Sequence, residues 1–163
     1  MAKRFAVGLD EEVARLNAIG EAGYAAITAA LYDGAGVIAS AITEAAKGLP
    51  VDTDPGHPFN APLAAISPED AADLAAGVGI ARFDDTEDGR GTSVSIEGYT
   101  RRTEKGFPNG VPLPMIARSL ESGSSVRQKH PFIRRAVNGA KAACEAAMVA
   151  AGERVIQEAA GEE

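Results

Sequence analysis

The sequence predicts an α+β domain in which a long N-terminal helix and a C-terminal helix pack on a small antiparallel β-sheet. Near both ends of the chain, apolar and small residues recur every three or four positions, a pattern typical of amphipathic helices. Between these regions, a short stretch alternates apolar and polar residues with a period of two, as half-buried strands do. The 163 residues suffice for a single domain, 1–163, with its own core.

The first long element is predicted over residues 10–47. Asp10 is a suitable N-cap, and the residues that follow place one apolar face along the helix. Gly48 followed by Pro50 ends the pattern. Residues 33–36 include two glycines, so we expect either one kinked helix or two helices in series.

Residues 50–66 are the least regular part of the chain and are predicted to form a Pro-rich arm or loop. Asp52, Asp54 and His57 could form a metal or acid/base cluster. The only other histidine is distant in sequence, and nothing in the pattern fixes the geometry of the three. We therefore favour solvated loop residues, and we expect no metal and no cofactor.

A short helix and a β-hairpin are predicted next. Residues 67–70 combine a Ser cap, a Pro at the first helical position and an acid two residues later, and Gly77 ends the helix. Residues 78–83 and 93–97 supply the two strands, and the acidic run 84–91 supplies the hairpin tip. The tip lacks the ligand spacing and the closing Glu of an EF-hand, so a solvated tip is favoured over a calcium loop.

The last helix is predicted over residues 131–160. Its apolar face is narrow and small, and it consists of Ile133, Val137, Ala140, Cys144, Met148, Ala151 and Val155. Cys144 lies on that face as the single cysteine, which excludes a disulfide framework and suggests a small buried thiol. Only 5% of residues are aromatic and there is no Trp, so the predicted core is thin. Such a chain can complete its core by association with further copies.

Charge is unevenly distributed along the chain. Residues 1–100 carry 16 acidic and 6 basic side chains, whereas residues 101–135 carry 8 basic and 2 acidic ones. An acidic body argues against tight DNA binding as the main activity. Patches of opposite charge on one chain suit head-to-tail packing in a ring. No run of 18 consecutive apolar residues is present, so neither a membrane span nor a signal peptide is expected.

The basic region contains the most unusual stretch of the chain, residues 115–138. It combines a short apolar segment, a Ser-Gly turn, a polar basic loop and a Pro-Phe pair that leads into the last helix. Just before it, Arg101, Arg102 and Lys105 could contact phosphate, although a charged strand end followed by a loop is the favoured interpretation. The stretch is predicted to be a shaped connection between two elements or a contact with a neighbouring subunit.

Three runs in this stretch, MIARSLESGS at 115–124, RQKHPF at 127–132 and RAV at 135–137, resemble a signature of phage neck proteins. These are the head–tail joining or tail-completion proteins of long-tailed bacteriophages. In that family an apolar-Ala pair precedes a Leu/Phe-Glu-x-Gly-Thr/Ser turn. A Pro-Phe pair then leads into Arg/Pro-Ala at the final helix.

Earlier parts of the chain are also similar to that family. They are LPVDT at 49–53, which ends the first helix, and IEGY at 96–99 followed by the turn KGFPNG at 105–110. Asp54 departs from the Gly that the family usually has at this point. A Pro-rich run follows it, so the resemblance does not predict the path of residues 54–66.

The resemblance implies a non-enzymatic virion structural protein of the phage neck, which forms a ring that joins the DNA-filled head to the tail. A hexamer is expected. The implied partners are further copies of the chain, the adjacent stopper, tail terminator and tail tube proteins, and genomic DNA in transient contact, with no membrane. Such a protein is assembled in the host cytoplasm and located in the virion. A tail terminator ring is the alternative.

The residues expected at the subunit interface are Ile116, Arg118, Glu121, Arg127, Lys129, Phe132, Arg134 and Arg135. Glu121 would accept backbone amides or pair with a neighbouring cation, or would cap the local turn at 122–125. Phe132 would fill the core and determine where the last helix starts. The cations would face an acidic surface of the adjacent subunit or ring, in preference to DNA in transit.

Two other classes of function remain as alternatives. A nucleic-acid-binding module would use the same basic patch. An enzyme is the weakest candidate, because the chain has two histidines, one cysteine, no phosphate-binding loop and no nucleophile motif.

Overall fold

The computed structural model describes residues 6–53, 62–87 and 89–160. In these residues the elements are, in order, α1 (Ala6–Lys47), α2 (Pro68–Ala76), β1 (Val78–Ile80), β2 (Asp84–Thr86), β3 (Gly89–Gly91), β4 (Val94–Ile96), α3 (Leu113–Ser122) and α4 (Phe132–Ala160). The predicted α+β class is confirmed, with helices at both ends and antiparallel strands between them.

Helix α1 runs without interruption through residues 33–36, so the prediction of two helices in series is wrong. It is 42 residues long, which corresponds to about 63 Å. Gly34 instead allows α4 to approach closely, because a Cβ at this position would lie 2.5 Å from Met148 Cγ and 3.2 Å from Cys144 Sγ. Gly36 faces open space. The first of these glycines therefore serves helix packing and does not break the helix.

Helices α1 and α4 form a long antiparallel pair. Gly152, near the C-terminal end of α4, approaches Ala26 in the N-terminal half of α1, whereas Met148 lies beside Gly34. Ala26 and Ala151 are buried between the helices. Because the contact consists of small side chains, the helix axes come close but each residue buries little area.

Helix α2 begins as the sequence predicts. Ser67 is its N-cap, and the Ser67 hydroxyl accepts a hydrogen bond of 3.1 Å from the Asp70 amide. Pro68 occupies the first helical position, where no amide proton is required. Gly77 caps the other end by donating its amide to the Asp73 carbonyl.

The predicted hairpin is confirmed, but its tip is shorter than expected. Strand β1 pairs with β4, and β2 pairs with β3, both antiparallel. The Ala81 amide donates to the Ser93 carbonyl at 2.8 Å and so joins the two ladders. Most of the acidic run 84–91 is therefore paired strand, since β2 and β3 account for six of its eight residues.

The distal end of the hairpin is attached to α1. Arg90 lies between the rings of Tyr24 and Phe83, with its guanidinium carbon 4.6 Å and 4.7 Å from the two ring centroids. The Tyr24 hydroxyl is 3.3 Å from the carboxylate of Asp85. These contacts hold the hairpin along the helix, with cation–π attraction as one component.

The hydrophobic core lies where the C-terminal end of α1 meets α2, α3 and the start of α4. Its larger members are Ile42, Leu49, Ile66, Leu74, Val111, Leu113, Ile116, Leu120 and Phe132. Residues 62–66 reach this region as an extended segment, since Ile66 exchanges backbone hydrogen bonds with Pro50 and Asp52. The remainder of the predicted arm, including Asp54 and His57, lies outside the described residues.

Part of α1 is unusually apolar for a helix with so little burial. Gly20–Lys47 is long and apolar enough to cross a membrane by length and composition alone. A search for 18 consecutive apolar residues misses this segment, because polar residues interrupt it. Only 22% of the apolar 18-residue window within this stretch is buried in the subunit. The helix therefore keeps apolar surface that the fold itself does not cover.

Replacing Gly34 by Val is expected to lower the free energy of unfolding by about 1–3 kcal/mol, because the branched side chain overlaps Met148. Gly36→Val is the matched control. It should leave stability unchanged or raise it by a few tenths of a kcal/mol, because valine has the higher helix propensity. Urea denaturation followed by circular dichroism measures both. Equal destabilisation by the two variants would contradict the assigned role of Gly34.

Candidate subunit interface

Helix α3 presents one face to the core and the other to solvent. Leu113, Ile116, Ala117 and Leu120 are buried, as their spacing on one helical face requires. Ile116 is only 4% exposed, so its side chain is committed to the core and offers no surface to another subunit. Arg118 lies on the exposed side of the helix.

Glu121 connects α3 to the start of α4. Its two carboxylate oxygens accept hydrogen bonds from the amides of Ile133 at 3.0 Å and Arg134 at 3.2 Å. The first amides of a helix lack partners and carry partial positive charge, so an anion there is stabilising. Glu121 therefore caps the amides at the start of α4 and does not cap the turn at 122–125.

Phe132 is the first residue of α4 and is 6% exposed, so it fills the core at the position where the helix starts. The His130 amide donates to the Leu120 carbonyl at 2.6 Å just before it. Like Ile116, Phe132 contributes to folding and presents no surface to a neighbour. The chain path into α4 is thus fixed by an apolar side chain and a backbone hydrogen bond.

The basic loop between α3 and α4 is anchored to the segment at 62–66. The Leu63 amide donates to the Val126 carbonyl at 3.0 Å, and the Gln128 amide donates to the Leu63 carbonyl at 2.8 Å. The Nε2 atom of His130 is 2.9 Å from the Ala64 carbonyl oxygen. These three contacts attach the basic loop to the segment at 62–66.

Arg127 differs from the other predicted interface cations because it is partly buried. Burial lowers the pKa of its guanidinium below the ordinary value, and nearby Arg102 lowers it further, whereas the charge of Asp70 raises it. Arg127 is thus part of a charge cluster inside the subunit and is not a free surface cation.

That cluster is centred on two carboxylates of α2. Asp70 is 2% exposed and pairs with Arg102, with the closest nitrogen and oxygen 3.0 Å apart. Asp73 accepts from both the backbone amide and the Nε of Arg101, at 2.8 Å and 2.7 Å. Arg101 and Arg102 are therefore both paired with acids, although the Arg101 side chain stays 69% exposed. The three-residue spacing of the aspartates could have indicated a shared face, but not their partners.

Two shallow apolar grooves flank the first turn of α4. One, of about 290 Å³, lies between β4, α3 and α4, with Arg118 among its lining residues. The other, of about 230 Å³, lies between the end of α1 and the start of α4, with His130 and Arg135 among its lining residues. Together with exposed Lys129 and Arg134, these side chains make the surface around this turn basic.

No group of three or more His, Cys, Asp or Glu side chains suited to a metal ion occurs among the described residues. Cys144 is partly buried between the two long helices, with its Sγ 3.9 Å from Met148 Sδ. The cysteine thus contributes to the packing of α1 against α4.

Glu121→Ala is expected to lower the free energy of unfolding by about 1–2 kcal/mol, because two amides at the start of α4 lose their acceptor. Glu145→Ala, on the exposed surface of the same helix, is the control and should change stability by less than about 0.5 kcal/mol. Thermal and urea denaturation test the pair. Equal effects of the two variants would exclude the capping role.

Asp70→Asn is expected to cost about 3 kcal/mol, at the lower end of the range for a broken buried ion pair, because Arg102 retains access to solvent. Exposed Glu69 is the neighbouring control, and Glu69→Gln should change the free energy of unfolding by less than about 0.5 kcal/mol. A near-neutral Asp70 variant would show that the cluster does not stabilise the connection between α2 and the basic segment.

The geometry therefore divides the predicted interface residues into two groups. Ile116, Glu121, Arg127 and Phe132 act within the subunit, whereas Arg118, Lys129, Arg134 and Arg135 remain exposed. Comparison with known proteins adds no relative: no protein-family model, no curated protein and no solved structure matches this chain.

Proposed function

We propose that this chain is a structural protein of the neck of a long-tailed bacteriophage, where copies form a ring that joins the head to the tail. The observation that carries the proposal is the basic surface that the anchored connection between α3 and α4 presents. Arg118, Lys129, Arg134 and Arg135 are all exposed there.

Exposed apolar side chains support the same proposal. Tyr24, Ile27 and Tyr32 on α1 and Val149 and Ile156 on α4 are each more than half exposed. Single exposed apolar residues are common, but here they recur along both long helices. A subunit with this surface is suited to assembly with other chains.

The charges of the exposed surface fit contact between unlike faces. Arg118, Lys129, Arg134 and Arg135 make one end of the helical pair basic. Acidic residues elsewhere give the whole chain a net charge of −7. A basic end that meets an acidic face of the adjacent subunit or ring gains electrostatic complementarity, which favours correct pairing.

The resemblance of residues 115–137 to phage neck proteins gives this assembly its biological setting. In this chain the same residues build the anchored connection, through the contacts of Glu121 and Phe132. A segment whose backbone is held by specific contacts, and whose basic side chains stay exposed, is suited to an assembly contact. The flanking reading frames offer an independent check: genes for a portal, a major capsid protein and a tail tube are expected beside this one.

The purified protein should form rings, alone or with the tail tube and terminator proteins of the same phage, visible by negative-stain microscopy and native mass spectrometry. Reversing two exposed charges, Lys129→Glu with Arg135→Glu, should prevent ring formation without loss of helicity. The matched control, Lys105→Glu with Arg82→Glu, changes the same charge at exposed sites outside the interface and should still assemble.

Two outcomes would contradict this proposal. A protein that stays monomeric and binds none of these partners would exclude a ring function. Salt-sensitive DNA binding at physiological ionic strength, lost in the Lys129 and Arg135 double variant, would favour a nucleic-acid-binding module instead. Arg127 is not substituted in either test. Because it is partly buried, its replacement would affect folding as well as assembly.

A further inference from the structure

Two apolar surfaces on this chain lie at opposite ends of α4. The first is the groove of about 290 Å³, with Ile42, Val94, Ile96 and Ile133 among its lining residues and Arg118 at its edge. The second is the ridge formed by Val149 and Ile156, which are 59% and 54% exposed. Ile133 and Ile156 are 23 residues apart, or about 35 Å along the helix. The ridge of a subunit therefore cannot occupy the groove of the same subunit.

The ridge points away from the rest of its own subunit. Ala151, which is buried against α1, lies on the opposite side of α4 from Val149 and Ile156, given about 100° of rotation per residue. Val149 and Ile156 are two turns apart, so they project in nearly the same direction about 10 Å apart. Exposed Glu145 and Glu153 flank them.

We propose that the ridge of one copy of the chain docks into the groove of the next copy. The apolar side chains would fill the groove, and the glutamates beside the ridge would face Arg118. The Arg118 guanidinium makes no hydrogen bond or ion pair with any part of the chain that the structure describes, so it is available to a partner. The inference rests on the proposed function in one respect, that copies of the chain contact one another.

A second copy is the occupant that charge favours. The glutamates beside the ridge and the guanidinium beside the groove carry opposite charges on the same chain, so a further copy supplies both partners. A symmetric contact between two ridges would instead bring Glu145 and Glu153 of both copies together, and like charges oppose such pairing. A contact between two different surfaces leaves one of each free on every added copy, so a suitable rotation closes the chain of subunits into a ring.

The proposal is tested with two variants that each damage one surface. The ridge variant carries Val149→Asp and Ile156→Asp. The groove variant carries Arg118→Glu and Ser122→Trp, which reverse the charge and fill the groove from an exposed position. Val51→Asp is the control, since Val51 is 50% exposed and lies outside both surfaces. Circular dichroism must show that each variant is folded.

The masses of the wild type, the variants and their mixture are measured by light scattering after size-exclusion chromatography. Wild type and control are expected to assemble, and each damaged variant alone should be monomeric. An equimolar mixture of the two variants should give a heterodimer and nothing larger, because one intact ridge and one intact groove remain between them. In a single chain, Glu153→Arg should restore the assembly that Arg118→Glu weakens.

Other outcomes overturn the inference. If the ridge variant assembles like the wild type, the ring proposal survives and this contact is excluded. If only the groove variant assembles, the contact is symmetric between ridges. If both variants are monomeric and their mixture forms no heterodimer, the two surfaces do not meet. A wild-type protein that stays monomeric at all concentrations overturns the contact between copies itself.

Discussion

The close approach of α1 and α4 is the constraint on which the rest of this structure depends. Gly34 admits Met148 and Cys144, and alanines such as Ala26 and Ala151 occupy the other contacts. Small side chains hold two long helices together but bury little apolar area. Larger side chains, Tyr32 among them, are consequently left at the surface. Because glycine and alanine form the contact, α1 and α4 pack as a long pair that keeps apolar side chains exposed.

The compact end of the molecule compensates for the thin helical contact. There α2, α3 and the start of α4 surround the end of α1, and ionic contacts join segments that are distant in sequence. Asp70 and Asp73 bind the basic segment at 101–102, and Glu121 binds the start of α4. Because these acids neutralise positive charge inside the subunit, only part of the basic region stays available for a partner.

Much of the local structure could be predicted from the sequence because its causes are local. The Ser67 cap and the strand alternation around Val94 each depend on a few neighbouring residues. Predictions that depended on distant partners were less accurate. The glycines near residue 34 suggested a break because the neighbour from α4 was not known. Arg127 was predicted to be an exposed interface cation because its position beside Asp70 follows only from the placement of α2.

The division between buried and exposed side chains lets one stretch support the fold and also carry the proposed assembly surface. Phe132 and Glu121 point into the subunit and fix the position of the first turn of α4, whereas Arg134 and Arg135 on that turn remain in solvent. A contact surface carried on a fixed helix start loses little conformational entropy when it binds. Since α4 also carries Val149 and Ile156 at its other end, one rigid helix sets the distance between the two surfaces. In the proposed ring, a rigid link of this kind would give every subunit the same angle to its neighbour, as a closed ring requires.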